Sequence, residues 1–320
     1  MALMVQVAQQ VLAEAGLPTT LVQLAPDTVD EPITKELIED PACRIVDFTG
    51  SPSFGSWIER NAHPAIAFTE TAGVNTVVID AVEDLAATAS AIATSLGLFS
   101  AQMCTSVQNI YLPGDGVDTP HGSVDADEVV QAIVDAVDAT ASRPDRAAGL
   151  MGAVQSPGTL DLVAHMERAV GERGRLAREA GPYEHPEHPE ARTLTPSIGV
   201  VDPDARELFG EERFGPVSFV VRCRDRDDAL AQAIDDVSRR GSIASHVYST
   251  DPAYRDRASR AYLDAGSSLS LNLTGPMPLN FAAAYSDYHV TGLTPAGNAC
   301  LTDEAFIAGR FRVAQVRQPA

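Results

Sequence analysis

Residues 76–112 place the tightest limit on what this chain can fold into. TVVID (76–80) is a short β-branched run without polar alternation, the pattern of a strand buried on both faces. An alanine-rich stretch from Ala81 to Leu98 then reads as a long helix, and Val107 to Leu112 reads as a second apolar strand. Strands joined through a helix pair in parallel, because the crossover carries the chain back to its starting edge and covers one face of the sheet. The same alternation continues on both sides of this unit. Before it come a helix from Ala2 to Ala15, stopped by Gly16, a strand from Thr20 to Leu24, a helix from Glu31 to Ile38 and a strand from Arg44 to Phe48. After it come helices at Asp125 to Thr140 and Gly158 to Gly171, and a proline-rich irregular loop, GPYEHPEHPEAR. Strand Ser197 to Val201, helix Asp227 to Val237, strand Ile243 to Ser249 and helix Pro252 to Ala265 follow. The fold class is therefore α/β, with a mainly parallel sheet. At the N-terminus only two strands precede the first glycine turn, so the sheet there reads as incomplete.

With 320 residues the chain has room for one large or two ordinary domains. Its net charge of −21 argues against nucleic acid and anionic membrane as partners. No apolar run approaches the roughly 18 residues of a membrane span, and the opening MALMVQVAQQ lacks the basic region of a signal peptide. Cys43, Cys104, Cys223 and Cys300 lie far apart, without metal-type spacing. They read as reduced thiols of a cytoplasmic protein that uses no metal.

Cys104, in AQMCTSV, sits between a helix and a strand, where its own N–H is left available to an oxyanion. A core thiol is inert, whereas a nucleophile needs a base and a polarising environment. FTETAGVN supplies Glu70 after an apolar strand, a place where poor solvation raises a carboxyl pKa toward that of a general base. FTGSPSFG brings Gly50 and Ser51 to the start of a helix, which is either a plain cap or a set of N–H donors for an anion such as a pyrophosphate. EERFGPV joins Glu212 to Phe214 and a rigid Gly-Pro turn. That segment is either a surface turn or a clamp for a ribose diol and a flat ring.

The order of these pieces, FTGS, then Glu70 with AGVN, then AQMC 34 positions later (104 − 70), then EERFGPV, resembles the aldehyde dehydrogenase superfamily. FTETAGVNTVVID, QMCTSVQNIYLP and the ending from NLTGPMPLNF to FRVAQVRQ are similar to the PaaN-type aldehyde dehydrogenases of phenylacetate catabolism. The resemblance implies an aldehyde dehydrogenase-like fold. Residues 1–70 would be part of a Rossmann-type dinucleotide-binding domain, 71–290 an α/β catalytic domain carrying the thiol, and 291–320 a segment returning to the cofactor or oligomerisation region. It further implies that Cys104 attacks an aldehyde, that hydride passes to NAD or NADP, and that Glu70 activates the water which hydrolyses the resulting thioester. Gly50 and Ser51 would lie by the nicotinamide, Glu212 would bind its ribose, and Phe214 would pack near the ring. The implied substrate is a CoA-thioester semialdehyde, and the implied assembly a homo-oligomer in which the terminal strand FRVAQV pairs with a partner.

Several departures from the family pattern stand out. Ala101 replaces the usual glycine before the glutamine, read here as a mild change at a helix end. Val74 replaces the usual lysine after the glutamate, and SDYHVTG, with His289, replaces the usual late serine-glycine motif. The chain also begins inside what would be the cofactor domain, so it reads as a truncated frame with little activity by itself. The competing expectation is a catalytically impaired fragment that serves only as a subunit or packing partner. A cysteine hydrolase would need a histidine beside Cys104, and none adjoins it in sequence.

Overall fold

The computed structural model describes residues 1–28, 30–71, 73–275 and 291–299. His289, Cys300 and the FRVAQV segment lie outside them. The chain divides into two compact units, one of Met1–Val46 with Ile58–Ala67, the other of Asp47–Trp57 with the chain from Phe68 onward.

The first unit holds α1 (Ala2–Glu14) and α2 (Thr34–Glu39). The segment expected as a strand at Thr20 to Leu24 is a 3₁₀ turn over Thr19–Leu21, because its exposed residues have no neighbouring strand to pair with and the Val22 N–H returns to Thr19 O. Helix α2 starts three residues later than expected. The Asp27 carboxylate accepts the N–H groups of Ile33 and Thr34 at 2.9 and 3.2 Å, which caps the helix there. Strand β1 (Ile45–Thr49), helix α3 (Pro52–Asn61) and strand β2 (Ile66–Glu70) follow in sequence, with β1 and β2 forming a two-stranded sheet.

The second unit is built on a seven-stranded sheet. In chain order its elements are β3 (Thr76–Ile79), α4 (Leu85–Gly97), β4 (Asn109–Pro113), the short antiparallel pair β5 (Val117–Thr119) and β6 (Gly122–Val124), α5 (Ala126–Ala141), α6 (Pro144–Met151) and α7 (Pro157–Arg173). Then come β7 (Gly174–Arg178), β8 (Ser197–Val201), α8 (Arg206–Phe209), β9 (Val217–Cys223), α9 (Arg226–Arg240), β10 (Ser245–Tyr248), α10 (Pro252–Asp264) and β11 (Ser270–Leu271). The strand order is β11-β10-β3-β4-β9-β8-β7. Every pairing is parallel except that of β7, an edge strand absent from the sequence reading, which runs antiparallel to β8.

Two-residue alternation sorts the strand side chains into layers. Val77, Ile79, Ile110 and Leu112 point to the face covered by α4 and α5, against Ile92, Leu96, Val129 and Ile133. Val78 and Tyr111 point to the other face, against α7, α9 and α10, where Met166, Val237 and Tyr254 lie. Both faces are apolar because both are covered, so the strands lack polar alternation. Each fully buried aliphatic side chain contributes about 1.5–3 kcal/mol. Tyr111 is a large polar insertion in this core; its hydroxyl is on Asp236, whose carboxylate also meets Asn109 and Arg206.

Helix α4 is shorter than the sequence reading. Asp84 caps it, accepting the Ala87 N–H at 2.9 Å. At the far end Phe99, Ser100 and Ala101 take left-handed backbone angles, φ 51°, 54° and 50°. Cys104 therefore lies in a turn beyond the helix, not at its end.

Candidate active site

Parallel strands bring the loops that precede them to one edge of the sheet. Asn75 precedes β3, Cys104 precedes β4, the 209–215 segment precedes β9, and Ser242 precedes β10. These strands are consecutive in the order β10-β3-β4-β9, so the four loops converge.

The Cys104 turn is held by strained but well-tied backbone. A non-glycine residue in the left-handed region costs about 1–2 kcal/mol, and three in succession persist only where partners fix them. Ser100 Oγ donates to Met151 O at 2.9 Å, and Gln102 Nε2 donates to Phe99 O and Ala153 O at 2.9 and 3.1 Å. The Gln155 N–H donates to Gln102 Oε1 at 2.9 Å. Ala101 is thus not the mild change expected from sequence. It occupies a position where glycine carries no steric penalty.

Asn75 joins the loops. Its amide Nδ2 donates to Cys104 O at 2.7 Å and Ser106 O at 2.9 Å, while its Oδ1 accepts from Ile243 N and Ala244 N at 3.0 and 2.9 Å and from Ser242 Oγ at 3.2 Å. Gln108 does the same for the 209–215 segment. Its Nε2 donates to Phe209 O and Glu211 O at 3.0 and 2.9 Å, and its Oε1 accepts the Arg213 N–H at 2.6 Å. The segment is therefore anchored by the residue immediately before β4, the strand paired with β9, and it presents Glu212 and Phe214 beside Cys104. All three residues line one small cleft, with Gly73, Asn75 and Met103.

Burial pushes the Cys104 thiol above its ordinary value, and the charges of Glu70 and Glu212 push it further. The backbone of Cys104 and Thr105 acts in the opposite sense. Cys104 lies in a turn beyond the helix, and the neighbouring carboxylates oppose its ionisation. Glu70 is 6% exposed, at the end of β2. Its peptide is fixed on several sides. The Gly50 N–H donates to Glu70 O at 3.1 Å, Thr69 N to Asn298 Oδ1 at 2.8 Å, Thr71 N to Ala296 O at 2.6 Å, and Ala299 N to Thr69 O at 3.0 Å. Gly297, at φ 141°, is pressed so close that a Cβ there would overlap Thr69 O and lie 3.0 Å from Glu70 Cα.

Gly50 thus stands beside the Glu70 peptide. Ser51 Oγ accepts the Phe54 N–H at 3.4 Å and caps the first turn of α3. Among the described residues no donor meets the Glu212 carboxyl, and burial alone pushes its pKa up to about 7. The Phe214 ring is 48% exposed. A half-buried acceptor lacking a donor, next to an open aromatic face, fits a diol attached to a flat ring. A second, larger cavity of about 730 Å³ opens beside the turn. Met103, Thr105, Ser106 and Val107 form part of its wall, with α4 and with His246 and Tyr248 of β10, but Cys104 does not. Burial pushes His246 down to about 4. Asn75, Gln108 and the 294–299 turn went unread in the sequence. The one available signal was a polar amide immediately before an apolar strand, in AGVN and in SVQN.

Cys43, Cys104 and Cys223 are free thiols, and no helix among the described residues is long and apolar enough to cross a membrane.

The sequence profile of the aldehyde dehydrogenase family matches residues 1–272, and the chain belongs to that family. It is 29% identical over 234 residues to 1-pyrroline-5-carboxylate dehydrogenase 2 of Bacillus subtilis, an overlap of 70% of this chain and 42% of that protein. Among solved structures, NAD-dependent aldehyde dehydrogenase from Burkholderia multivorans is 43% identical, with a TM-score of 0.90 over 97% of this chain and 55% of that one. Gamma-glutamyl-gamma-aminobutyraldehyde dehydrogenase from Burkholderia cenocepacia is 25% identical, with a TM-score of 0.67 over 88% and 54%. The chain spans about half the length of the relatives it matches.

Proposed function

We propose that this chain carries the thiol-bearing part of an NAD(P)-dependent aldehyde dehydrogenase that forms a free acid. The observation that carries the reading is that Glu212, from the loop before β9, and Glu70, at the end of β2, both lie close enough to act on the Cys104 thiol. Cys104 Sγ adds to the aldehyde carbon, and the Cys104 N–H donates to the oxygen that becomes negative. The thiohemiacetal loses a hydride and a proton to become a thioester. NAD or NADP, when bound, supplies the hydride acceptor. Glu70 takes a proton from water as that water attacks the thioester carbon, releasing the acid and freeing Sγ. Glu212 and Phe214 would hold the ribose and ring of the cofactor, with Gly50 and Ser51 at its nicotinamide end.

In domain terms, 1–70 would belong to the dinucleotide-binding domain, 71–290 to the catalytic domain, and 291–320 to the cofactor or oligomerisation region of a homo-oligomer. This reading also accounts for Gly50 and the 294–299 turn, which meet at the Glu70 peptide.

For substrate, the reading favours an open-chain CoA-thioester semialdehyde of phenylacetate ring cleavage, from the PaaN-like blocks quoted above. The pyrroline-5-carboxylate dehydrogenase relatives suggest instead a semialdehyde bearing a carboxylate. The described wall of the 730 Å³ cavity holds no lysine or arginine, and its His246 is neutral near pH 7. A carboxylate placed there would have no cation to meet it. Comparing kcat/KM for an uncharged-chain acyl semialdehyde and for glutamate semialdehyde, in this chain and in a version extended upstream, tests the point. Preference for the first is expected, and a reversed order overturns the substrate reading. Absence of saturable NAD and NADP binding in both versions would favour the packing-partner alternative.

Glu212 gives a separate check. Ribose hydroxyls donate to a charged carboxylate more strongly than to a protonated one, so cofactor affinity should rise with pH through about 7 and level off above it. Calorimetric titration across pH 5.5–8.5 reads this directly, these values being set about the shifted group. Glu212→Gln should remove the slope. Stability should move the opposite way. The folded-state pKa lies above the ordinary carboxyl value of 4.5, so the folded chain holds its proton longer and loses stability as pH rises from there to about 7.

A further inference from the structure

We propose that Gln108 is a positioning residue whose side-chain amide clamps the backbone on both sides of Glu212 and so aims the Glu212 carboxyl into the Cys104 cleft. The proposal rests on the reading of Glu212 as the acceptor of a cofactor diol and deepens it.

Gln108 is 6% exposed and sits immediately before β4. Its own peptide groups are held on both sides, its N–H donating to Asn75 O at 3.2 Å and its carbonyl accepting the Phe219 N–H of β9 at 2.9 Å. From that fixed root the side chain reaches the loop before β9. Nε2 donates to Glu211 O at 2.9 Å and to Phe209 O at 3.0 Å, and Oε1 accepts the Arg213 N–H at 2.6 Å. The amide fits only one way round. Reversed, it would set its NH₂ against the Arg213 N–H and its oxygen against two carbonyls.

Glu211 and Arg213 flank Glu212. Donating to the carbonyl before a residue and accepting from the N–H after it is what one residue of a parallel strand does to the residue opposite. Each peptide unit is planar, so holding the Glu211 carbonyl and the Arg213 N–H fixes the planes on either side of the Glu212 Cα, and with them the direction in which its side chain leaves. Other ties hold the loop upstream of this point. Asn109 Nδ2 donates to Phe209 O at 3.0 Å, and Arg240 Nε donates to Gly210 O at 3.2 Å. They leave the orientation of Glu212 itself to Gln108.

The cleft gives Glu212 little other reason to stay. A carboxyl on an untied loop turns to water, because burial penalises its charged form. Among the described residues lining the cleft, Cys104 and Arg213 are the other ionisable groups. The Arg213 guanidinium is turned away to Leu208 O and Glu207 O, so no cation there draws the carboxylate in. The backbone clamp takes the place of a counter-ion.

The test compares the native chain with Gln108→Met, which keeps the length of the side chain and loses its amide. Thr76→Val is the control. It removes a buried hydrogen bond to Tyr262 from the adjacent strand β3 and touches neither Gln108 nor the loop. With ¹³C-glutamate labelling, Glu212 is the carboxyl signal that disappears in Glu212→Gln. In Gln108→Met its titration midpoint should fall from about 7 toward the ordinary 4.5 as the group swings out to water, and in Thr76→Val it should stay. An unmoved midpoint in Gln108→Met, or an equal fall in both variants, overturns the proposal.

Calorimetric titration with NAD and with NADP gives a second readout. Gln108→Met and Glu212→Gln should each weaken binding by about ten- to a hundredfold, the effect of one hydrogen bond to a charged group. The double variant should be no weaker than either, since both changes remove the same contact. Losses that multiply in the double variant, or full affinity in Gln108→Met beside a weakened Glu212→Gln, overturn the proposal. Full affinity in Glu212→Gln removes the cofactor reading alone, and the ¹³C midpoint then decides the role of Gln108. If Gln108→Met does not fold, amide exchange in the native chain decides: slow exchange at Arg213 supports the clamp, and exchange at the rate of an open loop overturns it.

Discussion

Turnover is expected to fall by about 10⁴- to 10⁶-fold in Cys104→Ala, the range seen when a covalent nucleophile is removed and only binding and polar stabilisation remain. The covalent route has no substitute here. Among the described residues that line the cleft with Cys104, Glu212 and Arg213 are the other ionisable groups. The Arg213 guanidinium is spent on Leu208 O and Glu207 O at 2.9 and 2.7 Å. Steady-state oxidation of an aldehyde, in whichever length of the protein turns over, measures the loss. A fall of less than tenfold would remove Cys104 from the chemistry.

Alkylation kinetics of the free chain follow from the surroundings of each thiol. Burial and two carboxylates hold Cys104 protonated at neutral pH, so half-exposed Cys43 competes with it there, and Cys104 gains as pH rises. Cys223 stays unreactive, since burial pushes it up to about 12.

What the sequence made legible follows from the range over which each signal acts. Strands β3, β4, β8 and β10 and helices α5, α7, α9 and α10 were readable because burial on both faces or on one stripe imposes a local period. Cys104, Glu70, Glu212 and Phe214 stood out as an ordered series, and the parallel strands bring the loops of Cys104, Glu212 and Phe214 to one cleft. The Thr20 to Leu24 strand was misread because a β-branched run without a partner strand has no reason to extend. The antiparallel β7, with its irregular register between Leu176 and Arg178, carries charged residues at the sheet edge and does not look like the buried strands. Ala101 was misjudged because a left-handed turn after a helix is set by distant ties, Ser100 to Met151 and Gln102 to Ala153, which no local window contains. The Gly297 contact with the Glu70 strand joins positions more than two hundred residues apart. Only the folded chain reveals it.

That contact leads to the second large effect. Glu70→Gln is expected to slow thioester hydrolysis by about 10²- to 10⁴-fold, the usual contribution of a positioned base, while hydride transfer changes little. The order of steps dictates the split, because the base acts on water only after hydride has left the thiohemiacetal. Rapid-mixing kinetics should therefore show a burst of reduced cofactor, one equivalent per site, followed by a slow steady state. Equal loss of burst and steady state would assign Glu70 to the fold or to cofactor placement instead. The Glu70 peptide is fixed through its carbonyl by Gly50, and its neighbours by Ala296, Asn298 and Ala299, so glutamine can be accommodated without moving the strand. Gly297→Ala separates the base's chemistry from its placement. Its Cβ would overlap Thr69 O and press toward Glu70 Cα, displacing a carboxylate whose identity is unchanged. A shift of about 1 Å in a catalytic group is enough to cost about 10²-fold. If Glu70 acts as a base held by this turn, Gly297→Ala should reproduce the burst and slow phase of Glu70→Gln with every catalytic side chain still present.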